Sequence, residues 1–343
     1  MSTTSQHGFL LTSRWYETEH TTELEFWFTS PSGPLRVCIE QPSVCFIPLE
    51  EQEKAMKLAG AEGLGLTCRS VELTSFSLKP LIACYLRQED IYRFHYLLKD
   101  WDINVWEYDL RPTDRYLMER FIRGGAEIQG EWLQEERQQG VKFLSCQQGR
   151  MKPSKEAIEQ ADLSILSVDI ETSFPKQGLP DRLFSIALEG DVFIEGGVFI
   201  EGDIGLRQKQ RIKKIWMIGS DNSPEADNCQ YVETEHQLLD VFFSAIKELD
   251  PDVIIGWNFI QFDMDFIQRK CDELNIPFIL GRNQQEVSWR HDQSRITRSY
   301  VHVPGRCIID GIEMLRQAQY HFESFALDNV AEELLGRKKL LSG

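Results

Sequence analysis

Two short apolar segments, LSILSVDIE (163–171) and DVIIGWN (252–258), lie on either side of a helix pattern in the second half of the chain. Segments of this length that are rich in β-branched residues are typical of buried strands. The helix pattern begins at Thr234, where Gln237 follows three positions later as in a capping box, and it ends before Pro251. A strand, a helix and a further strand in this order predict a mixed α/β sheet.

Further patterns extend this fold class over the whole chain. The first part alternates apolar and polar residues from Gly8 to about Ile47, which predicts a β-rich opening. Helices are expected at 87–103, at 111–125 and from about Gln261 to Leu274. Strands are expected at 183–190 and 214–220, a hairpin extension at 192–202, and a strand-like element at 305–315.

The 343 residues are enough for two domains of ordinary size. The polar stretch CQQGRMKPSKEAIEQAD (146–162) is the best candidate for a linker between them. We therefore expect a β-rich α+β domain over residues 1–150 and a mixed-sheet α/β domain over residues 151–343.

Composition excludes several classes of protein. No apolar run reaches the roughly 18 residues that cross a bilayer, so a membrane protein is not expected. The 8 cysteines form no C-x-x-C pair, which favours reduced thiols, a cytoplasmic location and no zinc site. The net charge of −17 argues against a simple phosphate-binding surface, although 206–214 and 282–306 are locally basic.

The first apolar segment ends in two acids, Asp169 and Glu171, which are one residue apart. Alternate residues of a strand point to the same face, so the two carboxylates should lie a few ångströms apart. Such a pair demands a counter-cation or a raised pKa. The apolar run before it suggests a strand buried on both faces, and sites in α/β sheets cluster where such strands end. Alone, the pair also fits a solvated strand end.

A third carboxylate follows the second apolar segment. Asp263 lies in the first turn of the expected helix after Gly256, and it would join the pair if the two strands were neighbours. Three oxygen donors without histidine or cysteine suit Mg²⁺ or Mn²⁺. By itself, Asp263 also fits an acid that stabilises a helix N-terminus.

Taken together, VDIET (168–172) and GWNFIQFD (256–263) resemble the first two motifs of the 3′→5′ proofreading exonuclease of family B DNA polymerases, which has an RNase H-like fold. The segments RPTDRYLMERFI, GRCIIDGIE and SFALDNVAEELLG also resemble this family, as do GFLLTSRW and SGPLRV near the start. The resemblance covers essentially the whole chain. It implies an RNase H-like exonuclease domain over residues 151–343, after a polymerase family B N-terminal domain.

The resemblance also implies roles for individual residues. Asp169, Glu171 and Asp263 would bind two Mg²⁺ or Mn²⁺ ions, and Thr172, with Asn258 and Phe262, would contact or shape the site for the 3′-terminal nucleotides. Without the family, Asn258 is interpreted as a turn residue and Phe262 as a core aromatic. The implied substrate is DNA, as a single-stranded 3′ end and as primer–template in the longer parent polymerase. A processivity factor would bind through parts outside this sequence.

The family has a third motif, a tyrosine followed four positions later by aspartate. After Asp263, Tyr300 is followed at that distance by Pro304, and Tyr320 by Ser324. We therefore expect the N-terminal part of a longer DNA-directed DNA polymerase, cut short in its exonuclease domain and weakly active or inactive. The alternatives are a free-standing RNase H-like nuclease and a non-catalytic nucleic-acid-binding module.

Overall fold

The computed structural model describes residues 4–136, 142–173, 181–194, 208–219, 228–291 and 299–337. Its contacts divide the chain into two compact units. One unit is formed by the residues up to Glu135 together with Lys142–Ala161, and the other by the described residues from Asp162 onward.

The first unit is rich in strands, as the sequence predicts. Its strands are β1 (Thr4–Glu17), β2 (Thr22–Thr29), β3 (Leu35–Glu40), β4 (Ser43–Pro48), β5 (Thr67–Thr74), β6 (Pro80–Leu86), β7 (Gly125–Gly130), β8 (Trp132–Glu136), β9 (Lys142–Gln147) and β10 (Arg150–Pro153). Its helices are α1 (Gln52–Ala61), α2 (Gln88–Lys99), α3 (Pro112–Glu119) and α4 (Lys155–Glu159), with a 3₁₀ turn at Leu49–Glu51.

These elements form two sheets, each with its own apolar core. One sheet has the order β10-β7-β1-β2-β3-β9-β8, and the other the order β4-β6-β5. Tyr116 of α3 packs with the buried residues of the first sheet, and Phe94 of α2 packs with those of the second. The stretch 146–162 contains β10 and α4, which belong to this unit, so its interpretation as a linker was wrong. Its polar residues are those of a short edge strand and a one-turn helix that Ser154 caps.

The second unit contains the strands β11 (Ile165–Thr172), β12 (Leu183–Ile194), β13 (Gln208–Ile218), β14 (Cys229–Val232), β15 (Val253–Gly256), β16 (Ser288–His291), β17 (Ser299–His302) and β18 (Cys307–Asp310). Its helices are α5 (Glu235–Leu249), α6 (Asp265–Leu274), α7 (Gly311–Gln317) and α8 (Leu327–Leu335). A π-helical turn at Phe259–Met264 precedes α6, and a 3₁₀ turn lies at Arg282–Gln284. Most of the expected hairpin extension at 192–202 lies outside the described residues.

The main sheet of this unit has the order β14-β13-β12-β11-β15-β18. β11 pairs antiparallel with β12 and parallel with β15, and β15 pairs parallel with β18. The predicted mixed α/β sheet is therefore confirmed. Its arrangement brings the two apolar segments, now β11 and β15, side by side.

The helix between these strands follows the sequence pattern closely. Thr234 is the N-cap of α5, and its hydroxyl accepts a hydrogen bond from the Gln237 N–H at 3.2 Å. The apolar side of α5, which includes Leu238 and Phe242, is buried against the sheet. The helix ends at Asp250, whose φ of 41° is left-handed.

Candidate active site

Strand β11 presents its two acids on one face. Leu166, Val168 and Ile170 are buried, whereas Asp169 and Glu171 are exposed on the opposite side. The expectation of a strand buried on both faces was therefore wrong, because the strand alternates as a half-exposed strand does. The two carboxylates do share a face, as their spacing predicts.

The end of β11 is irregular at the acidic pair. Glu171 pairs with Ser185 of β12, but Thr172 pairs with Leu183, so the register shifts by one residue between them. Such bulges bend a strand locally and re-aim its side chains. Thr172, which is partly buried, lies directly after this shift.

Asp263 joins β11 through a backbone contact. Its Oδ1 accepts a hydrogen bond from the Ile170 N–H at 3.2 Å, and its side chain is buried, with 2% of the residue exposed. The ladder between β11 and β15 runs only from Ile165 to Ser167, so farther along the strand this carboxylate takes the place of a strand partner. The structure therefore places Asp263 beside the residue that separates Asp169 from Glu171.

The local backbone explains how Asp263 reaches this position. The helix expected from Gln261 begins two residues earlier, as the π-helical turn at Phe259–Met264. π-helical turns are wider than α-helical ones and are frequent at functional sites. Gly256 permits the close turn before it, because a Cβ there would lie 2.8 Å from the Phe259 ring.

The surroundings of Asp263 make its ionised form costly. Burial is the main cause and raises the pKa of Asp263 to about 7, and the nearby negative charge of Asp169 acts in the same direction. The hydrogen bond from Ile170 opposes this, and the charge of Asp310 contributes least. A bound cation would stabilise the ionised carboxylates of Asp169 and Asp263 together.

The residues fit a hard divalent cation by their chemistry, since all three candidates are carboxylates. In the described parts of the chain, however, no three His, Cys, Asp or Glu side chains are grouped closely enough to hold a metal ion as they stand. Asp169 and Glu171 are exposed at a strand end, on either side of Ile170, whose N–H binds the buried Asp263.

Asn258 and Phe262 lie on the same turn as Asp263. Asn258 has a left-handed φ of 57°, and its carbonyl accepts a hydrogen bond from the Phe262 N–H at 3.0 Å. Phe262 is 44% exposed, so its interpretation as a core aromatic was wrong. Both residues therefore lie on the turn that carries Asp263, and the Phe262 ring is available at the surface.

Sequence reasoning missed one carboxylate, Asp310. It ends β18 opposite Gly256 of β15, is 2% exposed, and contacts the turn that carries Asp263. The segment GRCIIDGIEML was interpreted only as strand-like. An aspartate between an apolar strand and Gly311-Ile312 is also a helix N-cap signal, which could have pointed to it.

Comparison with known proteins identifies the family. The family model described as DNA polymerase family B, exonuclease domain, matches residues 103–330. The chain belongs to the family B DNA polymerases and carries their exonuclease domain. A second family model, which is described as the N-terminal part of DNA polymerase II, matches residues 8–42.

Individual relatives support the assignment to family B. DNA polymerase II of Escherichia coli (strain K12) is 34% identical over 341 residues, which cover 98% of this chain and 39% of that protein. A DNA polymerase of Thermococcus sp. (strain 9oN-7) is 32% identical over 108 residues, or 32% of this chain and 13% of that protein. This family B chain thus spans about two fifths of the length of its full-length bacterial relative.

A solved structure shows the same fold. The family B DNA polymerase from the hyperthermophilic archaeon Pyrobaculum calidifontis matches with a TM-score of 0.69 at 15% identity, over 97% of this chain and 40% of that one. The expected fold class, a mixed-sheet exonuclease domain with a β-rich N-terminal domain, is confirmed. Among the described residues of this family B chain, no helix is long and apolar enough to cross a membrane.

The basic stretches of the family B chain do not form an obvious phosphate track in the described residues. Arg282 and Arg306 are buried, and both form ion pairs with Asp250 Oδ1, at 2.9 and 2.7 Å. Arg211 is exposed but pairs with Glu189 at 2.8 Å. Acids of the same unit therefore balance the charge of these three arginines.

Proposed function

We propose that the second unit is a 3′→5′ exonuclease that hydrolyses the 3′-terminal phosphodiester bond of DNA and releases deoxynucleoside monophosphates. The observation that carries this proposal is the hydrogen bond from the Ile170 N–H to Asp263 Oδ1, between Asp169 and Glu171. It brings the second motif, which carries Asp263, next to the strand of the first motif, although the two motifs are far apart in the chain.

In this proposal, Asp169, Glu171 and Asp263 hold Mg²⁺ or Mn²⁺. Bound by these residues, the cations would supply an activated hydroxide and would stabilise the charge that develops on the phosphate and the leaving 3′ oxygen. Because burial and Asp169 raise the pKa of Asp263 to about 7, this carboxyl must lose a proton as the cation binds near neutral pH. Cation affinity should therefore rise with pH through this range.

We assign the 3′-terminal nucleotides to the surface formed by Thr172, Asn258 and Phe262. Phe262 offers an exposed ring on the turn of Asp263, and an aromatic ring can stack on any base without sequence preference. Thr172 follows the bulge directly after Glu171, so its hydroxyl can contact the terminal nucleotide.

The rest of the proposal is based on the relatives, which are longer than this chain. We propose that this chain corresponds to the exonuclease-bearing part of a DNA-directed DNA polymerase that acts on primer–template DNA. Contact with a processivity factor would use residues outside this sequence. The Tyr-x₃-Asp pattern does not occur after Asp263, so three carboxylates hold the cations and turnover by this chain should be weak.

Digestion of a 3′-labelled single-stranded oligonucleotide with Mn²⁺ or Mg²⁺ tests these proposals. We expect slow, metal-dependent trimming that Asp169→Ala abolishes. Asp265→Ala is the matched control, because Asp265 is an exposed acid in the first turn of α6 that pairs with Arg269. Robust trimming lost in Asp169→Ala would contradict weak turnover, whereas Mn²⁺ binding that is independent of Asp169 and Glu171 would favour a non-catalytic binding module.

A further inference from the structure

Asp310 is a buried carboxylate that lies at the site without belonging to the three proposed metal ligands. It is the last residue of β18, and it is aligned with Gly256 at the end of β15 in the parallel ladder. It lies two positions before Ile312, at the junction where the strand becomes α7.

Both oxygens of this carboxylate accept hydrogen bonds from backbone N–H groups. Oδ1 accepts from Ile312 at 3.0 Å and from Glu313 at 3.3 Å, as an ordinary N-cap of α7 does. Oδ2 accepts from the N–H of Ile260 at 3.0 Å. Ile260 is in the π-helical turn that carries Asp263, so one side chain caps the start of two different helical segments.

Asp310, at the end of β18, caps the π-helical turn, which has no side-chain cap of its own. Asn258 stands at the N-cap position of the π-helical turn, but its side chain makes no capping hydrogen bond. The first N–H groups of a helical segment have no partner within it and cost free energy if they are buried without one. Asp310 supplies that partner for Ile260.

We propose that Asp310 is a positioning residue, which fixes the π-helical turn through Ile260 and so sets where the Asp263 carboxylate lies. The turn is then held at two points by side-chain carboxylates: Asp310 binds its beginning, and Asp263, near its end, binds Ile170 of β11. The part of the proposal that concerns metal affinity rests on the exonuclease function proposed above.

Close packing between the two strand ends supports this role. A Cβ at Gly311 would lie 2.8 Å from the Trp257 ring, so only glycine permits this approach directly after Asp310. This contact keeps the start of α7 against the turn that follows β15. Each oxygen of Asp310 accepts a backbone hydrogen bond, so the contacts of this carboxylate with both helical segments are made to the backbone.

The variant Asp310→Ser separates the two caps. Serine is a good N-cap residue, so its hydroxyl should keep the cap on α7, but its shorter side chain should not reach Ile260. The direct readout is the hydrogen-exchange rate of the Ile170 amide, measured by NMR without metal. We expect this exchange to become about tenfold faster, because the hydrogen bond to Asp263 is weakened.

A second readout is Mn²⁺ affinity, measured from the electron paramagnetic resonance signal of free Mn²⁺. Loss of a residue that orients ligands typically lowers metal affinity roughly 10- to 100-fold, and we expect a decrease in that range for Asp310→Ser. The matched control is Thr234→Val, which removes the N-cap of α5 and should change neither the Ile170 exchange rate nor the Mn²⁺ affinity.

Unchanged Ile170 exchange in Asp310→Ser, or the same change in Thr234→Val, would overturn the positioning role. If the wild-type chain binds no Mn²⁺ through Asp169, the proposed nuclease function fails, but the exchange measurement still decides the role of Asp310. If Asp310→Ser does not fold, Asp310→Asn takes its place. The Asn amide has one acceptor oxygen for the N–H groups of both α7 and the π-helical turn, so exchange of the Ile170 amide should again become faster. An exchange rate equal to that of the wild type would refute the proposal.

Discussion

Replacing Asp263 with Asn should remove most of the pH dependence that this residue gives to the stability of the metal-free second unit. The Asn carbonyl can still accept the hydrogen bond that the Ile170 N–H donates to Asp263. The change therefore removes an ionisable group while it keeps the shape and the main contact. Any difference between the two proteins reports the cost of the buried charge.

The expected size follows from the pKa of Asp263, which burial and Asp169 raise from 3.8 to about 7. Because the folded-state pKa is the higher one, the stabilising contribution is complete below the unfolded-state pKa and is lost as the pH rises through about 7. At about 1.4 kcal/mol for each pKa unit, the whole loss is about 4 kcal/mol. The part lost between about pH 5 and about pH 8 is roughly 3 kcal/mol.

Urea unfolding in the presence of EDTA at several pH values measures this dependence, with the transition of the second unit followed by tryptophan fluorescence. The free energy of unfolding of the wild type should fall with rising pH. That of Asp263→Asn should fall less, so the variant should be the more stable protein at high pH. Added Mn²⁺ should reverse that order, because it binds and stabilises the folded wild type. Asp265→Asn, which changes an exposed acid of α6, should keep the wild-type slope.

The same pH slope in the wild type and in Asp263→Asn would refute the reasoning. It would mean that the Asp263 carboxylate is hydrated in solution and that its buried contact with β11 does not determine its ionisation. The same conclusion would follow if Asp265→Asn changed the pH dependence of the free energy of unfolding as strongly as Asp263→Asn does.

Other replacements test the scaffold of the site. Arg282→Met should lower the free energy of unfolding by about 3–5 kcal/mol, since it leaves the fully buried Asp252 without the guanidinium that donates to it at 2.9 Å; urea unfolding measures this. Gly256→Ala should cost about 1–3 kcal/mol by the same assay, because the new Cβ would meet the Phe259 ring at 2.8 Å. It should also weaken Mn²⁺ binding. Thr234→Val should cost about 1 kcal/mol in thermal unfolding and leave Mn²⁺ binding unchanged.

Local patterns predicted the elements that depend on local physics. The N-cap of α5 at Thr234 follows from the residues of that segment alone, and the structure confirms it. The helix after β15 was placed less well, since its first turn is π-helical and starts at Phe259. That turn depends on Asp310, about fifty residues later, which no local pattern contains.

The burial of side chains was predicted least well, because it also depends on residues that are distant in the chain. The apolar run before Asp169 suggested a strand covered on both faces, but only the face of Val168 and Ile170 is buried. Arg282 lies in a locally basic span of the sequence, but its guanidinium is buried among the acids of its own unit. What covers a side chain is decided by elements that pack against it from elsewhere in the chain.

The sequence by itself determined the chemistry of the candidate site: three carboxylates, two apolar strands and the helix between them, because residue type and spacing are local properties. The tertiary structure decided which of these groups meet. β15 stops pairing with β11 before Ile170, so this N–H binds Asp263 instead of a strand. β18 lies beside β15, so Asp310 caps the turn that carries Asp263. Both contacts join residues distant in sequence, and only the packing of the sheet brings them within hydrogen-bonding distance.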